Sequence, residues 1–226
     1  MASLFNEAVK VHSGDASTKP LSYYKRYDLF MDHHGLIPQT ILEIGTFEGE
    51  STKVLSRTFQ HAKILSVDLN IKEINFSDFK NVAYEKADQT NSKQLNALIA
   101  KYFPQGVDLV IEDASHIGHY SSLTFDIVFP FLNHGGAYFI EDWGTGYWDS
   151  WPDGSRFQSF NHSCLDEKNI PKRIPSHDFG MVGFVKSLVD LIHKSAIKNN
   201  QHEHAANSSP LRALEFGEGI CMALKA

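Results

Sequence analysis

Five short runs of β-forming residues, "TILEIG", "AKILSVDL", "NVAYEKAD", "VDLVIEDA" and "GAYFIED", recur along the chain, and amphipathic segments come between most of them. The intervening stretches "STKVLSRTF", "SKQLNALIAKYF" and "HYSSLTFDIVFPFL" space their apolar residues at the helical period. Consecutive strands joined by helices run parallel, because only a crossover connection returns the chain in the same direction, and such crossovers are right-handed. "VDLVI" and "AYFI" are apolar almost throughout, as central strands covered on both faces must be. The chain closes with "LRALEF" and "GICMALK" around Gly217 and Gly219, which reads as a β-hairpin. The expected fold class is α/β, a doubly wound, mostly parallel sheet with an antiparallel hairpin strand at the C-terminal end.

The rest of the chain is organised around that sheet. At 226 residues it reads as one domain, 1–226, able to bury a sizeable core. A helix from Pro20 to His34, stopped by Gly35, leads into it, and residues 1–38 are expected to form an N-terminal helical lid segment carrying Tyr23, Tyr24 and Tyr27. After Asp142 the periodicity breaks, and 143–180 is expected to be an inserted substrate loop with Trp143, Tyr147, Trp148 and Trp151 as an acceptor wall. "MVGFVKSLVDLIHK" resumes as a helix, while the His-x-His of "QHEHAA" reads as solvated loop.

Charge and composition narrow the partner. A formal net charge of −6 without any basic run speaks against nucleic acid, and leaves a small molecule. No apolar stretch approaches the roughly 20 residues of a bilayer span, and "MASLFNEAVK" lacks the pattern of a signal peptide. The expectation is a cytoplasmic protein with no membrane partner, in which Cys164 and Cys221 stay reduced.

A ligand signal stands at the first strand end, "EIGTFEGES". Gly45 lets a ligand approach the backbone where the strand turns, Gly49 follows, and Ser51 opens a helix whose N-terminus offers free N–H groups. A dinucleotide site would carry Gly-x-Gly-x-x-Gly, but Phe47 stands where its middle glycine would be. Glu43 would repel a pyrophosphate and suits a cationic amino-acid end. Asp68, closing the second strand, is placed for ribose hydroxyls, and Asp88 and Gln89, closing the third, for an adenine edge. Turn and cap roles remain open for Gly45, Gly49, Asp68 and Asp88.

Acidic pairs close the fourth and fifth strands, at Glu112-Asp113 and Glu141-Asp142. Neighbouring strands lie about 4.8 Å apart, so these ends should converge. Converging carboxylates either hold a cation or share protons. Oxygen donors favour a hard ion such as Mg2+, which lowers the pKa of a bound hydroxyl. His116 suits a proton acceptor, with His119 as the alternative. Side-chain alternation sends Glu112 to the opposite face from Asp113 and leaves it out of the cation site.

From Ile41 onward the combination of strand-end residues resembles the S-adenosylmethionine (SAM) methyltransferases of the Rossmann-like class, which implies a seven-stranded sheet and SAM as cofactor, with a nicotinamide or nucleotide as the rival. "IEDASH" and "FIED", with "EIGTFEGES" and "ADQTN", further resemble the metal-dependent sugar O-methyltransferases of antibiotic biosynthesis, of the mycinamicin and rhamnosyl tetracenomycin type, grouped with the cephalosporin hydroxylase family. That resemblance implies that Asp113, Glu141 and Asp142 hold Mg2+ and that His116 is the base. It also implies a hydroxyl acceptor on a sugar or glycosylated natural product. Glu112-Asp113-Ala114 stands where the family usually has Asp-Asp-Gly, and the macrolide enzymes' large N-terminal domain has no counterpart in this sequence. A catechol-type O-methyltransferase and a non-catalytic SAM-binding protein are the alternatives; the oligomeric state, a homo-oligomer included, is left open.

Overall fold

The computed structural model describes residues 3–12, 19–157, 178–193 and 209–226. Cys164 and the histidines of "QHEHAA" lie outside them. The strands are β1 (Thr40–Ile44), β2 (Lys63–Asp68), β3 (Val82–Lys86), β4 (Val107–Glu112), β5 (Leu132–Glu141), β6 (Leu211–Gly217) and β7 (Ile220–Lys225). Around them lie α1 (Leu4–Val9), α2 (Leu21–His34), α3 (Glu50–Thr58), α4 (Ser92–Tyr102), α5 (Gly118–Val128), α6 (Pro152–Phe157) and α7 (Gly180–Ser187).

All seven strands form one sheet in the order β3-β2-β1-β4-β5-β7-β6. Strands β1 to β5 pair in parallel, and β7 inserts antiparallel between β5 and β6. The order reverses between β1 and β4, which opens a crevice at the carboxyl ends of the strands there. Register then decides what faces that crevice. Ile44 pairs with Glu112, and Glu112 with Ile140, so the next residues on the three strands, Gly45, Asp113 and Glu141, stand side by side at its floor.

Alternation along the strands builds two cores. Leu42, Ile44, Val110, Tyr138 and Ile140 pack on one face with Phe125, Met181 and Val185 of α5 and α7. Ile41, Leu109, Ile111 and Phe139 pack on the other with Tyr27 and Phe30 of α2 and Leu55 of α3. Tyr27 stacks on Phe139 with ring centroids 4.6 Å apart; each such buried side chain contributes roughly 1.5–3 kcal/mol. The same alternation separates the acids. Glu112 leaves its strand towards α5, whereas Glu43 and Glu141 share the face of Ile41 and Phe139, beneath α2.

Three features extend the sequence reading. Residues 4–9 form a helix, with Ser3 as its N-cap and Asp28 of α2 accepting the Leu4 and Phe5 N–H groups. It buries only Leu4 and Ala8, too little for a periodic signal. Strand β5 begins at Leu132 rather than Gly136, with an irregular pairing where it meets Val107. The aperiodic loop after Asp142 holds a 3-10 turn, Trp143–Tyr147, and then α6. No helix among the described residues is long and apolar enough to cross a membrane.

Candidate active site

The loop after β1 sits hard against the end of β4. Gly45 has φ +99°, and a Cβ there would lie 1.9 Å from the Asp113 carbonyl oxygen. Any other residue would push the two strand ends apart. Gly49, with φ +74°, is the left-handed N-cap of α3. Between them the N–H groups of Thr46 and Phe47 donate to Asp68 Oδ2 at 2.9 and 3.0 Å, so Asp68 shapes the loop from the neighbouring strand.

Glu43 is fully buried beneath this loop. Its Oε2 accepts hydrogen bonds from Thr52 at 2.5 Å and Ser66 at 2.8 Å. Its Oε1 is buried with no hydrogen-bond partner within normal geometry. Burial raises its pKa, against the Lys19 charge and the hydroxyls of Thr52, Ser51 and Ser66. A glycine-bordered loop over a carboxylate with an unpartnered oxygen fits the cationic amino-acid end of a ligand such as SAM.

The third strand end carries Asp88 and Gln89. Asp88 turns back on itself, accepting from the Thr90 N–H and hydroxyl at 2.8 Å each, and the cap of α4 is Asn91. Gln89 points inward. Its amide nitrogen donates to Glu112 at 3.2 Å and Thr124 at 2.9 Å, and its oxygen accepts from the Ser115 N–H at 3.1 Å. In this arrangement the amide braces the loop after β4.

That loop and the one after β5 carry the acids. One ligand atom each from Asp113, His116 and Asp142 lie within 4.8 Å of one another. His116 Nε2 is 3.6 Å from Asp113 Oδ1 and 3.7 Å from Asp142 Oδ2, too far for a committed hydrogen bond. Both His116 (φ +53°) and Asp142 (φ +52°) are in the left-handed region, with Phe47 (φ +48°) the remaining non-glycine case among the described residues. Such conformations cost about 1–3 kcal/mol each, and all three fall around this crevice. Thr145 ties the two loops together, donating to the Asp142 carbonyl at 2.8 Å with the His116 carbonyl at 3.2 Å.

Glu141 stands apart from that triad. Its Oε1 accepts from both Lys19 and the Tyr27 hydroxyl, and its side chain is 1% exposed. Lys19 Nζ also lies 3.3 Å from Asp113 Oδ2. Burial alone would lower the Lys19 pKa, but the Glu141 and Asp113 charges outweigh it and hold the ammonium above its ordinary range. Burial first, and Asp113 second, push the Glu141 carboxyl up, against the pull of Lys19. The Tyr23 hydroxyl donates to Asp142 Oδ1 at 2.6 Å, and burial raises the Tyr24 hydroxyl to about 12. Tyr23 and Tyr27 of α2 thus address the acids directly. The other pair member, Glu112, lies on the α5 side, bound by Ser121 and Gln89.

The segment after β5 closes the site from above. Trp151 lies with its ring 6.0 Å from that of His116. Trp143 instead turns to the hairpin, its Nε1 donating to the Gly217 carbonyl at 3.3 Å, while Trp148 is half exposed. Asp153 of α6 was invisible to the sequence reading. Buried, its Oδ2 accepts from the N–H groups of Gly118 and Met181 at 2.7 Å each, fastening α6 to the starts of α5 and α7. His119, the alternative base, is exposed beside Tyr120.

The sheet order, with β1 to β5 parallel and β7 antiparallel between β5 and β6, is that of the Rossmann-like methyltransferase fold. No family model matches the sequence. Within that fold the chain is similar to the methyltransferase of the mycinamycin pathway solved with Mg, SAH and mycinamycin VI, with a TM-score of 0.71, 20% identity, and coverage of 98% of this chain and 54% of that one. It is similar in sequence to the 8-demethyl-8-alpha-L-rhamnosyl tetracenomycin-C 2'-O-methyltransferase of Streptomyces olivaceus, 30% identical over 68% of this chain and 36% of the relative. It is also 30% identical to the demethylmacrocin O-methyltransferase of Streptomyces fradiae, over 66% of this chain and 34% of the relative. The chain spans about a third of the length of the curated relatives it matches.

Proposed function

We propose that the protein is a SAM-dependent O-methyltransferase, assisted by Mg2+ or another hard divalent cation, acting on a hydroxyl of a sugar or glycosylated natural product. The observation that carries this reading is the convergence of Asp113, His116 and Asp142 beside the glycine loop, with Gly45 packed on the Asp113 backbone. A donor for the methyl group and a centre for the acceptor hydroxyl would then share one wall. The sequence relatives, all named O-methyltransferases, support the same reading.

In this reading Glu43 and the Gly45–Gly49 loop hold the amino-acid end of SAM, Asp68 its ribose, and Asp88 the adenine side. Asp113 and Asp142 would hold the cation, with Glu141 at its margin; oxygen donors of this kind suit a hard ion. When bound, such an ion lowers the pKa of the acceptor hydroxyl. His116 Nε2, held at the edge of the acids and committed to no hydrogen bond shorter than 3.6 Å, is free to take the hydroxyl proton. Thr145 fixes the His116 loop relative to Asp142, and orienting the acceptor oxygen in line with the methyl group is where such rigidity contributes to the rate. Trp151, with its ring 6.0 Å from that of His116, would narrow the entrance to the site.

The test is a pair of titrations followed by turnover. SAM should bind in calorimetry and NAD should not, and SAH should accumulate with a glycosylated acceptor. Asp142→Asn should abolish turnover while leaving the SAM affinity within about threefold. Binding of NAD in place of SAM would overturn the cofactor assignment. Turnover on catechols alone would overturn the acceptor class.

A further inference from the structure

We infer that Lys19 is a built-in counter-cation of the carboxylate centre, opposing divalent-ion binding by Asp113 and Glu141 and thereby coupling that binding to the seating of α2. The inference rests on reading the strand-end acids as a cation site.

Lys19 occupies a made pocket. Its side chain is 6% exposed, and Nζ contacts Glu141 Oε1 and lies 3.3 Å from Asp113 Oδ2. The rings of Tyr24 and Tyr27 stand on its other sides, each with its centroid 5.9 Å from Nζ. Two carboxylates and two aromatic faces form a cage for an ammonium rather than a chance surface pair. The desolvated charge is held there because it answers the charge of the acids.

That answer has a consequence for an incoming ion. An oxygen that serves the ammonium has fewer lone pairs for a metal, and the two so engaged are Asp113 Oδ2 and Glu141 Oε1. The atoms that remain open towards one another are those of Asp113, His116 and Asp142. A divalent cation among them would stand within a few ångströms of Nζ, and like charges at that range repel strongly in a half-buried site. Ammonium and metal ion therefore compete at Asp113, which both would share.

The competition reaches the helix. Lys19 precedes Pro20, the N-cap of α2, and the first two turns of α2 send Tyr23 to Asp142 and Tyr27 to Glu141. Coupling between two ligands of one site is reciprocal, so an ion weakens the Lys19 anchor by the factor by which Lys19 weakens the ion. The start of α2 reads the occupation of the centre.

The experiment uses the full chain and Mn2+ as the probe, with affinity read by calorimetry and by electron paramagnetic resonance. Lys19→Met should bind Mn2+ about tenfold or more tightly than the wild type, and Lys19→Gln should shift in the same direction. Unchanged or weaker Mn2+ binding in either folded variant overturns the inference. Hydrogen exchange on the wild type needs no variant to fold. Mn2+ should speed exchange of the Tyr23–Tyr27 amides, and slower or unaltered exchange contradicts the coupling. Absence of Mn2+ binding in every form sinks the cation-site reading itself. Equal binding in wild type and variants sinks only the role of Lys19.

Discussion

Glu112 and Asp113 are adjacent in the chain, yet one is enclosed against α5 and the other opens on the crevice, because successive side chains leave a strand on opposite faces. Burial first, with the Asp113 charge adding, raises the Glu112 carboxyl to about 7, against His116, Ser121 and Gln89. In the unfolded chain it titrates in the ordinary carboxylate range. Between about pH 5 and 7 the folded state keeps a proton that the unfolded state has lost, so stability falls as pH rises across that window, by up to about 3 kcal/mol. Glu112→Gln should flatten this fall, seen as a smaller difference between urea unfolding at pH 5 and at pH 8; an unaltered difference would contradict the assignment. Asp113 and Asp142 stood out in the sequence because each directly follows a strong strand, and His116 because it lies three residues past Asp113. Lys19 was not, since it reaches Glu141 across 122 residues and no local pattern announces such a contact. The inward hydrogen bonds of Gln89 were not legible for a related reason: strand-end position says where a side chain starts, but not which way a polar one turns for its hydrogen bonds.

At the scale of elements, the segment after β5 owes its position to one carboxylate. Asp153 receives the first N–H of α5, from Gly118, and the second of α7, from Met181, together, and Gly118 is where those helices meet, since a Cβ there would lie 2.0 Å from the Gly180 carbonyl carbon. Asp153→Ala leaves two buried donors unpaired and should destabilise the fold by about 3 kcal/mol. It should also speed hydrogen exchange through residues 143–157. A loss confined to global stability, with exchange there unchanged, would mean that α6 is held by other contacts. Helices α3 to α5 and all seven strands were readable from period and punctuation, since each carries an apolar face that must be buried. Helices α1 and α6 were not, because six residues present too little of a face for periodicity to register.

Across the whole molecule, sheet order and register do the positioning. Reversal between β1 and β4 opens the crevice, and the pairing of Ile44 with Glu112 and Glu112 with Ile140 sets the glycine loop and both acidic ends at one level. The fold was legible because alternating strands and helices permit few topologies. The cage around Lys19 was not, being a product of α2 crossing above β5. The account stands on methyl transfer that needs a divalent cation at these acids, and the most direct test is the rate of SAH formation from SAM with a glycosylated acceptor, measured in Mg2+ and in EDTA. It predicts SAH formation in Mg2+, loss of at least about 90% of the rate in EDTA, and recovery when Mg2+ is restored; an equal rate in EDTA would contradict it.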